Sequence, residues 1–226
     1  MRGKRRRRAV VVLCSGGLDS CVLVAEYLRR GWSVLPIYIE SGLVWEHEER
    51  KGLARFLRAV GSPRLRPLVV SNLPLQDIYQ THWSVTGRGV PGAESPDQAV
   101  YLPGRNLILL SKAFVLAALH RIEVVALAFL KGNPFPDSQK DFLRSYTKAA
   151  SLALGRSLKV ETPFAALTKA DVIRRGRDLP LGLTVSCLRP GGMVHCGRCN
   201  KCRERQKGFR QAGVVDSTRY ANSRGH

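Results

Sequence analysis

The chain has 226 residues, with 37 Lys and Arg against 17 Asp and Glu and a net charge of +20. That length suits one sizeable domain, or one with a small appendage, and leaves two full domains cramped. No long apolar run or amino-terminal signal segment occurs, so a membrane partner is not expected and a cytoplasmic location is; the charge calls for a polyanion, either nucleic acid or a nucleotide.

Residues 1–8 carry Arg2, Lys4, Arg5, Arg6, Arg7 and Arg8, a basic tail that reads equally as an RNA contact or a solvated leader. The branched apolar run 9–14 then predicts a strand buried on both faces, and residues 18–30 an amphipathic helix. A second strand is expected at 33–39, a helix at 46–60 and a short third strand at 66–70. From 71 to 101 the periodicity fades into Pro, Gly, Thr and Asp, the pattern of an active-site loop or lid. Helices at 107–119 and 137–154 flank a strand at 123–129, and 159–161 makes a last short strand. Thr168-Lys169-Ala170-Asp171 is a capping-box pattern that starts a helix running to about residue 177. Residues 182–202 are loop-like and cysteine-rich, and 203–212 are helical. Alternating strands and helices predict a doubly wound, mostly parallel α/β sheet with helices on both faces. Residues 9–180 are expected to form that domain and residues 181–226 a cysteine-rich segment packed on it.

Ser15-Gly16-Gly17-Leu18-Asp19-Ser20 joins the first strand to the first helix. Two glycines let backbone approach an anion, and the helix start offers unpaired N–H groups and a positive dipole end. A strand-to-helix turn in which Asp19 only favours the first helical turn is the plainer alternative. The spacing is neither Gly-x-x-x-x-Gly-Lys-Ser/Thr nor Gly-x-Gly-x-x-Gly. It resembles the pyrophosphatase loop of the N-type ATP pyrophosphatases, which cleave ATP between the α and β phosphates and leave AMP on a substrate oxygen.

Cys187, Cys196, Cys199 and Cys202 follow a Cys-x8-Cys-x2-Cys-x2-Cys spacing suited to one tetrahedral ion. Zinc is the favoured ion, structural and one per chain; an iron–sulfur cluster accepts the same four thiolates. His195 is surplus to that shell, and Cys14 and Cys21 read as small packing groups.

The loop and the cysteine spacing together resemble the 7-cyano-7-deazaguanine synthases, the QueC family of the ATP pyrophosphatase superfamily. Leu102-Pro103-Gly104-Arg105-Asn106 is similar to the family's Val-Pro-Gly-Arg-Asn, and Thr168-Lys169-Ala170-Asp171 to its Thr-Lys-Ala-Glu. Ser186-Cys187, Cys196-Gly197-Arg198-Cys199 and Asp216-Ser217-Thr218-Arg219-Tyr220 fall in family order. Two segments depart. Glu40 to His47 stands where the family has Asp-Tyr-Gly-Gln and a basic residue, and Phe135 to Phe142 lacks the family's Cys-Arg pair.

The resemblance implies an adenine nucleotide alpha hydrolase-like, Rossmann-like fold and an enzyme that makes a nitrile from 7-carboxy-7-deazaguanine, ammonia and ATP with Mg2+. It places ATP on Leu13, Cys14, Ser15, Gly16, Gly17, Leu18, Asp19 and Ser20, with Ser15, Asp19 and Ser20 nearest the chemistry. Arg105, Asn106, Asp137 and Lys169 are the expected contacts to the 7-deazapurine substrate. For Arg105 and Asn106 an ordinary turn and helix start competes with that role, and for Lys169 a solvated first-turn lysine does. A homodimer or a nucleic-acid partner is compatible with this reading and neither is required. Rival readings are a paralogue adenylating another carboxylate, a related enzyme that modifies tRNA, and an RNA-binding zinc module.

Overall fold

The computed structural model describes residues 8–221, so all of the basic tail except Arg8 lies outside the described residues. Strand β1, Ala9–Cys14, is the centre of a five-stranded, all-parallel sheet ordered β3-β2-β1-β4-β5, with β2 at Ser33–Glu40, β3 at Val69–Asn72, β4 at Val124–Ala126 and β5 at Lys159–Glu161. Strict alternation along β1 divides the core. Val10, Val12 and Cys14 enter one apolar cluster with Leu18 and Val22, whereas Val11 and Leu13 enter the other with Leu110 and Phe114. Both faces therefore need helices, as a parallel sheet requires.

Helices α1 (Leu18–Arg29) and α2 (Glu46–Val60) cover the first face, and α5 (Arg105–Leu119) and α6 (Lys140–Ala153) the second. Between α2 and α5 lie β3, two single-turn helices, α3 (Gln76–Tyr79) and α4 (Trp83–Thr86), and a 3-10 turn at Asp97–Val100, with irregular backbone elsewhere in 73–101. Helices α7 (Lys169–Arg175) and α8 (Asn200–Ala212) pack against each other, and α8 inserts Phe209 into the first apolar cluster. No helix among the described residues is long and apolar enough to cross a membrane.

Several boundaries differ from the sequence expectation: β4 spans only Val124–Ala126 of the expected 123–129, and α5 begins at Arg105 rather than 107. The third strand begins at Val69 rather than 66, because Pro67 has no N–H to give the ladder; upstream, only Leu65 bridges to Val34. Helix α6 begins at Lys140 rather than 137, since Pro136–Ser138 forms a separate turn and Gln139 is extended. Helix α8 begins at Asn200, directly behind Cys199, three residues earlier than its periodicity indicates.

The order of strands places a switch between β1 and β4, where chain connections depart in opposite directions. In such sheets ligands occupy the crevice beyond the strands' carboxyl ends. The turn 15–17 lies there.

Candidate active site

Gly16 turns the chain out of β1 with φ +73°, a conformation costly for residues with a Cβ. Space forbids a side chain as well, because a Cβ at Gly16 would lie 2.5 Å from the Glu49 carbonyl oxygen. The turn is fixed by its own serines. Ser20 Oγ donates to the Gly17 carbonyl at 3.1 Å and accepts from the Ser15 N–H at 3.2 Å; Ser15 Oγ accepts from the Gly17 N–H at 3.3 Å. From the carboxy-terminal segment, the Val185 N–H donates to the Gly16 carbonyl at 2.9 Å.

Above this turn a chain of alternating charges joins three helices. Lys169, at the start of α7, lies 2.5 Å from Asp19 Oδ2 and 3.0 Å from Glu204 Oε1, and Lys201 lies 2.7 Å from Glu204 Oε2. Burial opposes the Lys169 charge, but the two carboxylates overcome it and hold the ammonium above its ordinary pKa. Burial likewise opposes ionisation of Glu204, yet Lys169 and Lys201 pull its pKa down to about 2. Asp19 Oδ1 is buried and has no hydrogen-bond partner among the described residues. Thr168 supplies the capping box that anchors Lys169, accepting from the Asp171 N–H while Asp171 accepts from its own.

Two hollows meet at the turn. One, of about 190 Å3, lies over the ends of β1 and β4 and is lined by Leu13, Cys14, Ile39, Asn106, Leu127 and Phe129. The second, of about 230 Å3, is walled by Trp45, Trp83, Leu102, Phe135, Leu188 and the buried Glu49. Ser15, Asp19 and Arg105 line both. A larger hollow of about 940 Å3 between α6 and β5 contains none of residues 15–20, so size does not mark the site.

Arg105 opens α5, and its Nε is buried without a partner among the described residues. Asn106 lines the first hollow, but its backbone N–H and side-chain amide donate to Asp137 at 2.9 and 3.0 Å. Asp137 lines neither hollow; its buried carboxylate holds the start of α5 instead. Of the sequence-predicted substrate residues, then, Arg105, Asn106 and Lys169 reach the hollows and Asp137 does not.

The four cysteines converge beside the second hollow, with their sulfurs all within 4.8 Å of one another. Cys196 and Cys202 Sγ are 3.9 Å apart, close to the roughly 3.8 Å edge of a tetrahedron with 2.3 Å metal–sulfur bonds. The N–H groups of Arg189 and Cys196 donate to Cys187 Sγ at 3.3 and 3.2 Å, as expected around a thiolate. The cluster can hold a metal ion. His195 is not among the converging ligand atoms, and its Nε2 accepts from the Ser186 N–H at 3.0 Å.

The sequence model described as "Queuosine biosynthesis protein QueC" matches residues 8–213. The chain belongs to the QueC family. It is 36% identical to the 7-cyano-7-deazaguanine synthase of Cellvibrio japonicus, over 95% of this chain and 99% of that one. To the enzyme of the same name from Syntrophobacter fumaroxidans it is 33% identical, over 96% and 98%. Among solved structures, a 4-thiouridine synthetase in complex with RNA and ATP shares the fold at TM-score 0.50 and 15% identity, covering 91% of this chain and 50% of that one. The second hollow is also lined by residues that the motifs do not reveal. Glu49, Trp83, Glu204 and Arg205 all line the second hollow. The available signal was a charged residue on an apolar helix face: Glu49 precedes Leu53 and Phe56 on α2, and Arg205 lies between Cys202 and Phe209 on α8.

Proposed function

We propose that this chain is a 7-cyano-7-deazaguanine synthase, converting 7-carboxy-7-deazaguanine, ammonia and ATP to the nitrile in two adenylation steps. The observation that carries this reading is the meeting of two hollows at Ser15, Asp19 and Arg105. ATP lies over the strand ends with its phosphates on the turn, and the flat acceptor lies between Trp45, Trp83 and Phe135. N–H groups at the start of α1, together with Lys169, bind the pyrophosphate that departs. Arg105 offers planar donors to the acceptor carboxylate and the α phosphate where the hollows join. The orphaned Asp19 Oδ1 suits the magnesium ion that accompanies ATP, a hard cation that takes oxygen donors.

The first adenylation turns a poor leaving oxygen into AMP, and the carboxylate oxygen attacks the α phosphorus as pyrophosphate leaves. Ammonia then forms the C–N bond of an amide, and AMP departs with the C–O electron pair. A second ATP adenylates the amide oxygen. Loss of AMP and of the remaining N–H protons gives the nitrile. The cysteine cluster binds zinc in a closed structural site and holds the wall that carries Leu188 and Arg205.

Incubating the protein with ATP, magnesium, ammonium and 7-carboxy-7-deazaguanine tests this. Nitrile and AMP should appear together by mass spectrometry; folded, metal-loaded protein that makes neither refutes the assignment. A second reading rests on Asp137. With its carboxylate bound to Asn106 it is not free to read a guanine-like edge, which favours a related synthase acting on a different planar carboxylate. A panel of heteroaromatic carboxylates in the same assay separates the two.

A further inference from the structure

Five carboxylates stand in or near the junction of the hollows, and four are already committed. Asp19 and Glu204 pair with Lys169. Asp137 holds Asn106, and Glu46 accepts from the N–H groups of Ser41 and Gly42 at 2.8 to 2.9 Å. Glu49 differs. It lies 8% exposed in the wall of the acceptor hollow and forms no salt bridge among the described residues; its side-chain hydrogen bonds come from uncharged donors, the Tyr38 hydroxyl to Oε2 at 3.1 Å and the Trp45 side chain. The turn lies directly against it, since a Cβ on Gly16 would come within 3.0 Å of Glu49 Cβ.

Building on the synthase reading, we propose that Glu49 is the catalytic base of the amide-forming step and takes a proton from ammonium at the acyl adenylate. Ammonium is a cation without a lone pair. Transfer of one N–H proton to the Glu49 carboxylate leaves neutral ammonia, whose lone pair forms the bond to the acyl carbon; the C–O bond breaks onto AMP, and the surplus N–H proton passes to water. A carboxylate held by an arginine or lysine would be too weak a base for this task. The groups facing Glu49 are Tyr38 from β2, Cys21 from α1, Arg105 from α5, and Glu46 with Trp45 at the start of its own helix. Burial pushes its carboxyl up to about 8, against the lowering influence of Arg105, which brings it towards the basicity of the ammonia it must release.

Two assays on Glu49→Gln decide the matter. Carboxylate-dependent exchange of pyrophosphate into ATP reports adenylation, and amide formation from ammonium reports the proposed step. Exchange should persist while amide formation falls by about a hundredfold or more. Hydroxylamine, a nucleophile already uncharged at neutral pH, should restore hydroxamate formation to wild-type rates. Loss of exchange together with amide would make Glu49 a binding group, and unchanged amide formation would remove it from the chemistry; either overturns the proposal. Wild-type protein without exchange would instead defeat the synthase reading itself. Tyr38→Phe provides an independent arm with the carboxyl in place. Removing that donor raises the Glu49 pKa, so the pH profile of amide formation should move upward while exchange is unaffected; an unmoved profile counts against the base role.

Discussion

Asp19 occupies a position where stability and activity pull apart. Its Oδ1 is buried without a partner and its Oδ2 holds Lys169, which keeps Glu204 as a second counterion. Asp19→Ala should therefore cost on the order of a hundredfold or more in AMP formation, with no fall in melting temperature. A parallel loss of both would show Asp19 to be structural. Glu49 gives a pH signature as well. Its folded pKa is raised from 4.5 to about 8, so between those values the folded chain holds a proton that the unfolded chain has released, and the carboxylate that acts as base is populated as pH rises through the upper one. Stability contributed by that proton is complete at low pH and is lost as pH climbs through this window. The melting temperature of the wild type should fall relative to Glu49→Gln as pH rises from about 5 to 8; parallel curves would mean the group is not proton-bound in the native state. Ser15 to Ser20 announce themselves by spacing alone. Glu49 gives only its place on the apolar face of α2, ahead of Leu53 and Phe56, which marks burial but not a cavity wall.

At the scale of elements, the critical contact is between α7 and α8. Gly208 lets them approach so closely that a Cβ there would lie 2.5 Å from Lys169 Cγ and 2.9 Å from Ile173 Cδ1. Alanine ordinarily favours a helix over glycine by about 1 kcal/mol, yet Gly208→Ala should destabilise the protein, because overpacking costs about 1–3 kcal/mol. It should also raise the KM for ATP by displacing Lys169, and a stabilised variant with unchanged KM would contradict this packing. The capping box at Thr168 was plain in the sequence, and it fixes where α7 starts. Its partner across the contact was not, since glycine in α8 carries no mark of what lies opposite. Helix α6 shows the converse: the sequence expectation starts it at residue 137, but the Asp137 carboxylate is drawn across to α5 and the helix begins at Lys140.

For the whole molecule, the cysteine cluster joins distant segments. Cys187, Cys199 and Cys202 share an apolar cluster with Leu43, Trp45, Val100 and Leu102, and Asn200 donates to the carbonyl oxygens of Pro91 and Ser95. Removing the metal with a chelator should thus lower the melting temperature and also weaken acceptor binding, while metal analysis finds one ion per chain. Unchanged stability after complete removal would separate the cluster from the fold. Local sequence determined the parallel sheet, the turn beyond β1 and the four-cysteine spacing, because period, glycine placement and ligand spacing are properties of neighbours along a chain. Tertiary structure decided which carboxylates remain free, where the two hollows join and how closely α7 meets α8. Those depend on partners distant along the chain, from Asp137 against Asn106 to Lys169 against Asp19, and pairing over such separations leaves no periodic trace in the sequence.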